Sequence, residues 1–249
     1  FTVEKFLTPL IDGMTSEGWE VVTVCSDGKL IPNLKERGYS IHTIPIARSM
    51  NPFKAIRSII LLYFFFKKQK FDIIHVHSPL ASLLARVAAK YSCKSYVVYT
   101  AHGFYFHEDM PRWKRAFFIL LERFCGRFTD LLFCQSAEDA VDAVSEGIAP
   151  VGRVVAIGNG VDPARFDPAK VGTSNMVKAA LGIPEDAFVV GLIGRQVREK
   201  GVGEFLRAVA LLSDSHPRLW VLLIGDRLPS DHAHGVEAEF AVAQKVLGN

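Results

Sequence analysis

No apolar run in the 249-residue chain is long enough to cross a bilayer. The longest, SIILLYFFF at 58–66, falls far short of the roughly 20 residues a transmembrane helix needs. The four cysteines, Cys25, Cys93, Cys125 and Cys134, form no C-x-x-C pair and no framework spacing, which argues against a disulfide scaffold or a cysteine zinc site. They are expected to be buried free thiols in a reducing compartment. No signal peptide is visible, the first residue is Phe1 rather than Met, and the closing FAVAQKVLGN stops within a helical pattern, so a fragment of a longer protein is expected. Acidic residues are scarce in one region. Between Arg48 and Arg123 there are 13 Lys and Arg against the four acids Asp72, Glu108, Asp109 and Glu122, an excess that points to an anionic partner there. The G-x-G-x-x-G and Walker patterns are both absent.

What is present is a regular alternation. Hydrophobic residues make up 49% of the chain, enough for a substantial core. Short β-branched runs (WEVVTVCS, YSIHTIPI, FDIIHVHS, KSYVVYTAH, TDLLFCQS, GRVVAIGNG, AFVVGLIG, PRLWVLLIGD) are separated by segments with apolar residues every three or four positions. Parallel strands need crossover connections, so this order predicts an α/β protein whose parallel sheets are covered by helices, with ligands beyond the carboxyl ends of the strands. Around residue 160 the breakers of IGNGVDPARFDPAK mark a handover between compact units, giving domains 1–158 and 159–249. The first carries 19 basic and 15 acidic residues and the second 10 and 11, so the basic surface belongs to the first.

Two stretches carry candidate chemistry. In GLIGRQVREKG, 191–201, an expected buried strand ends at Gly194, Arg195 follows at once, and Lys200 precedes the helix-patterned VGEFLRAVALL. Small residues admit a ligand to the backbone, a helix amino terminus favours anions, and an Arg with a nearby Lys suits a diphosphate. By spacing alone the two cations read equally well as solvated loop charges. The second stretch is AHGFYFHE, 101–108, where His102 follows a strand and can exchange hydrogen bonds with a sugar hydroxyl, although a lone histidine is more often structural.

Taken together, GRQVREKG, IGNGVDPARF and AHGFYFHE resemble the family 4 glycosyltransferases of the GT-B fold, retaining enzymes of polysaccharide and lipid-linked oligosaccharide assembly, and they occur in family order through almost the whole chain. The resemblance implies two Rossmann-like domains joined at NGVD. It implies a nucleotide-sugar donor whose diphosphate is gripped by Arg195 and Lys200, with Gly194 and Asn159 on the donor side, and a donor-sugar contact from His102. His77 and His107 fall to the acceptor side. No divalent metal or other cofactor is implied: the Asp-x-Asp motif of the other major glycosyltransferase fold is absent, and protein cations can stabilise the leaving diphosphate.

His75 and His77 share a strand face with no further ligand near in sequence, so a cleft-lining role for His77 is preferred to a metal pair, and HAH at 232–234 reads as loop. PRWKRAFFILLERFCGRF and IILLYFFFKKQK mix aromatic and basic residues in a way that suits an anionic headgroup layer. Periodicity alone favours core-facing helices with a solvated basic face. The partners implied are a nucleotide-sugar, a polyprenyl-diphosphate-linked or saccharide acceptor and an anionic membrane surface, not nucleic acid. The expected place is the cytoplasm, peripheral to the inner face of the plasma membrane.

Two family features are missing. FTVEKFLTPLIDGM already reads as the first helix, without the strand and glycine-rich turn that usually precede it. Glu237 and Glu239 do not match the pair of glutamates, separated by seven residues, that would hold the donor's ribose and sugar. The second domain is therefore expected to be incomplete and the chain inactive alone. An inactive fragment or membrane-associated binding module of the same fold, or a nucleotide-sugar epimerase, stands as the rival reading.

Overall fold

The structure, a computed structural model, describes residues 3–47, 51–92, 94–108, 110–226 and 236–247. Arg48, Cys93, Asp109 and the HAH at 232–234 lie outside the described residues. The chain divides into two compact units, residues 1–160 and 161–249.

In the first unit a short π-helical turn, Val3–Leu7, leads into α1 (Thr8–Ser16), so the chain opens on a helix as read. It continues through β1 (Thr23–Cys25), α2 (Ile31–Glu36), β2 (Ile41–Thr43), α3 (Pro52–Gln69), β3 (Ile73–His77), α4 (Pro79–Ser92), β4 (Tyr96–Ala101), α5 (Arg112–Gly126), β5 (Leu131–Cys134), α6 (Ala137–Ser145) and β6 (Val154–Ala156). Local chemistry sets several ends. Asn51 caps α3 by accepting from the Lys54 N–H at 3.1 Å ahead of Pro52, and Ser136 caps α6 by accepting from the Asp139 N–H at 2.9 Å.

All strand pairings described are parallel, as the alternation predicts, but the unit's strands form two sheets rather than one: β1–β2, and β3–β4–β5–β6. β1 and β3 bound a largely apolar cavity of about 1000 Å³, whose lining includes His75, His77 and Ser78. The larger sheet packs α4 against β3 and β4, and α6 against β5 and β6, while α3 and α5 pack against α4. Its core gathers Leu62, Phe66, Ala88, Tyr99, Leu132 and Cys134. Cys25, Cys125 and Cys134 are free, and burial pushes the Cys125 and Cys134 thiols up to about 11, which keeps them protonated and inert.

Two charges counted above toward a partner surface lie inside instead. Arg86 and Glu122 are buried and paired at 2.7 Å, with the guanidinium stacked 4.3 Å over the Tyr99 ring. Arg115 and Arg123 of α5 are engaged by Glu146 beyond α6. Burial of the Arg86–Glu122 pair removes one charge of each sign and leaves the excess unchanged, while Glu146 offsets part of the charge of Arg115 and Arg123.

The second unit holds α7 (Ser174–Ala180), β7 (Phe188–Ile193), α8 (Val202–Leu212), β8 (Leu219–Ile224) and α9 (Glu237–Leu247), with β7 and β8 paired in parallel. α8, α9 and the residue just before α9 supply a small core of Val202, Leu206, Val236 and Ala243. β7 is not the buried strand expected: Phe188 and Ile193 are exposed, because the described sheet has only two strands and its neighbours cover only part of each face.

Candidate active site

In the first unit, β3 and β4 end side by side, with His77 in register with Thr100. Side chains on a strand alternate between faces, so His75 and His77 project to the same side. His75 Nε2 lies 2.7 Å from the hydroxyl of Thr100, its diagonal neighbour on β4, and the two imidazoles of β3 stand 4.3 Å apart. His102, one residue past β4, brings its Nε2 to 3.1 Å from His77 Nδ1. The three rings form one column at the carboxyl ends of the strands, where a parallel sheet presents its ligand-binding groups.

The backbone turns sharply after each of these strands. Ser78 follows His77 with φ +68°, a left-handed conformation that costs a non-glycine residue roughly 1–3 kcal/mol. Gly103 follows His102 with φ +95°, where glycine avoids that cost. Burial, with help from the neighbouring rings His75 and His102, lowers His77 to about 3; burial and His102 lower His75 to about 4. Both rings are neutral near pH 7.

His107 lies five residues beyond His102, exposed on the segment before α5, where its carbonyl accepts from the Met110 N–H at 3.2 Å. The structure does not bring its ring to the imidazole column. Asn159 is exposed at the end of the first unit.

In the second unit β7 passes through Gly194 and a single turn of 3₁₀ helix, Arg198–Lys200, into α8. Gly201 caps that helix with φ +72°. The Gly194 N–H donates to the Ile224 carbonyl at 2.9 Å, and Gln196 Nε2 donates to the Gly225 carbonyl at 2.8 Å, so the exits of both strands are tied together. Gly225 must be glycine: its φ is +138°, and a Cβ there would lie 2.0 Å from the Gly194 carbonyl oxygen. Lys200 is exposed and folds its stem against Gly194, whose added Cβ would meet it at 3.8 Å. Arg195 contacts Glu199 at 3.4 Å in an exposed pair. Gly194 and Lys200 are therefore neighbours in space, with Arg195 beside them in the chain.

The sequence reading did not single out Gly225, Ser78 or Thr100. Gly225 had a signal, since WVLLIGD repeats the apolar run and glycine of FVVGLIG. Among the described residues no cluster of three or more His, Cys, Asp or Glu is arranged to hold a metal ion, and no helix is long and apolar enough to cross a membrane.

The helices flanking α4 expose apolar stripes. On α5, Trp113 (70% exposed), Phe117, Leu120 and Phe124 recur every three or four residues along one face, while Ile119, Glu122 and Cys125 turn inward. On α3, Phe53 (82% exposed), Ile56, Ile60 and Phe64 do the same, opposite buried Ser58, Leu62 and Phe66. The helices present their aromatic residues outward as well as inward, unlike ordinary core-facing helices.

Comparison with known proteins bears on the family and the fold. The UDP-Gal:alpha-D-GlcNAc-diphosphoundecaprenol alpha-1,3-galactosyltransferase of Escherichia coli is 26% identical over 238 residues, covering 94% of this chain and 61% of that protein. A glycosyltransferase from Rickettsia africae ESF-5 is structurally similar, with a TM-score of 0.74 at 20% identity over 100% of this chain and 62% of that one. A UDP-N-acetylglucosamine 2-epimerase reaches 0.62 at 16% identity, over 97% and 61%. The chain thus spans about three fifths of the length of the proteins it matches. At these identities structure shows the GT-B-type fold alone, which transferase and epimerase share. Sequence separates them: residues 3–165 match Glycosyltransferase Family 4, and the chain belongs to that family.

Proposed function

We propose that the protein is a retaining glycosyltransferase that moves a sugar from a nucleotide-diphosphate donor to a lipid-linked or saccharide acceptor at an anionic membrane surface. The loop from Gly194 to Gly201 carries this reading within a family 4 chain. It closes a parallel strand onto the first turn of α8, whose amino terminus favours an anion, and it sets Arg195 and Lys200 beside that turn. As the glycosidic bond breaks, charge builds on the departing diphosphate, and these two cations with the α8 amides would stabilise it. The exposed Arg195–Glu199 pair is weak enough to yield to a doubly charged ligand. Gly194, whose N–H is held by the Ile224 carbonyl, adds no side chain between a ligand and the backbone, and Asn159 is assigned to the donor side.

His102 takes the role of hydrogen-bonding a sugar hydroxyl, and His107 that of approaching the acceptor. With cations supplied by the chain, no divalent metal is required. The Escherichia coli relative's name pairs a UDP-linked hexose with a diphosphoundecaprenol acceptor, which supports a UDP-sugar and a polyprenyl-diphosphate sugar here. The stripes on α3 and α5 would bring the enzyme to such an acceptor. Among the described residues the second unit's sheet has two strands, and the unit holds no pair of glutamates separated by seven residues; both support the expectation that the 249 residues alone do not turn over.

The test is transfer of radiolabelled sugar from UDP-hexoses to polyprenyl-diphosphate-linked acceptors by the full-length protein, with and without EDTA. Product with the donor's anomeric configuration, formed equally in EDTA, is expected. Isomerised free nucleotide-sugar without transfer would favour the epimerase, and abolition by EDTA would overturn the metal-free account.

A further inference from the structure

The acceptor-side role given to His77 by resemblance does not account for where its ring points. Its Nδ1 is directed at His102 Nε2, 3.1 Å away, and not at open space. His77 ends β3 and His102 follows β4, its parallel neighbour, and each is the last side chain before the backbone turns into the left-handed region, at Ser78 and at Gly103. A left-handed serine is a conformation that persists only where its surroundings over-determine it, and here it fixes the exit of β3 so that His77 stays at the sheet end. From below, His75 packs on His77 with ring centres 4.3 Å apart and is itself held by Thr100 at 2.7 Å. Phe133 of β5 meets the edge of His75 at 6.1 Å. The His77 ring is therefore braced on one side and bonded on the other.

We infer that His77 is a positioning residue for His102: it takes up Nε2 of His102 and leaves Nδ1 as the only ring nitrogen with which His102 can meet a ligand. The chemistry follows from counting protons. Between two neutral imidazoles sharing one hydrogen bond, one nitrogen donates and the other accepts. His77 is held neutral by its burial, so it carries a single N–H and its tautomer sets that of His102. If His77 Nδ1–H donates, a neutral His102 carries its proton on Nδ1 and offers a donor to the ligand. If His102 Nε2–H donates, a neutral His102 offers an acceptor at Nδ1. Either way the ring cannot rotate or change tautomer freely, and its outward atom is fixed. The role of His102 as a sugar contact rests on the proposed function; the pairing of the rings does not.

The closing experiment separates the two. In uniformly ¹⁵N-labelled 249-residue chain at mildly alkaline pH, long-range ¹H–¹⁵N correlation reads the tautomer of each histidine ring. One dominant His102 tautomer is expected, with its Nε2 shift characteristic of a hydrogen-bonded nitrogen. His77→Phe should release His102 to the mixture of tautomers seen in free imidazole, and His77→Asn, whose amide sits near the place of Nδ1, should restore the single form. In the full-length protein the Phe variant should lose kcat/KM and the Asn variant recover most of it. A mixed His102 tautomer in the wild-type chain overturns the inference even if no variant folds, and so does a His102 spectrum unmoved by His77→Phe. A moved spectrum in a protein that transfers no sugar keeps the positioning and removes the proposed function.

Discussion

The Arg86 guanidinium and the Glu122 carboxylate meet at 2.7 Å in the interior of the first unit, and neither side chain reaches solvent appreciably. Ser82 and Thr129 take further N–H groups of Arg86, and Tyr99 lies under it, so the network joins α4, α5 and β4 three residues before His102. A buried pair adds little net stability relative to apolar residues of like volume, but removing one partner leaves an uncompensated charge that costs about 3–5 kcal/mol.

Glu122→Ala is therefore expected to lower the unfolding free energy of the first unit by about 3–5 kcal/mol. The double change Arg86→Met with Glu122→Leu should cost much less. Urea unfolding followed by circular dichroism measures both, and equal losses in the two variants would argue against the pair as the source.

Acid should destabilise the first unit in a defined window. The ordinary histidine value is 6.5, while folded His75 and His77 are lowered to about 4 and about 3. The unfolded chain thus binds protons first as pH falls, so stability is full above about pH 6.5 and is lost progressively down to about pH 4 for His75 and about pH 3 for His77. Each fully unmatched proton costs about 1.4 kcal/mol per pH unit. His75→Gln should make the slope in that window shallower. An unchanged slope would mean that His75 titrates normally in the folded protein.

Binding to vesicles is expected to need anionic lipid and to weaken with salt, since each Lys or Arg near such a surface contributes about 1 kcal/mol. Replacing Trp113 and Leu120 together by Ser should weaken binding at every salt concentration, because both side chains stand outward on α5. Co-sedimentation reads this directly. Equal recovery on neutral and anionic vesicles at low salt would count against the electrostatic part.

Much of this architecture could be read from residue order, and the exceptions share a cause. The spacing of β-branched runs reported parallel strands because period-two and helical patterns alternate without interruption. His102 was placed correctly at a strand end because it follows YVVYTA directly. Arg86 and Glu122 were not read as buried, because each lies in an amphipathic helix where a charge ordinarily faces water, and only the packing of α4 on α5 encloses both. The pairing of His77 with His102 depends on the register of two strands 25 residues apart, which no local pattern encodes. The separation of β1–β2 from the larger sheet likewise arises from pairing between distant segments.

The central claim is that Arg195 and Lys200 stabilise a departing nucleotide diphosphate, and single-turnover sugar transfer by the full-length protein carrying Arg195→Ala or Lys200→Ala tests it most directly. Each variant should fold normally and lose on the order of a hundred-fold or more in rate. Transfer at the wild-type rate by the Arg195→Ala protein would contradict the account.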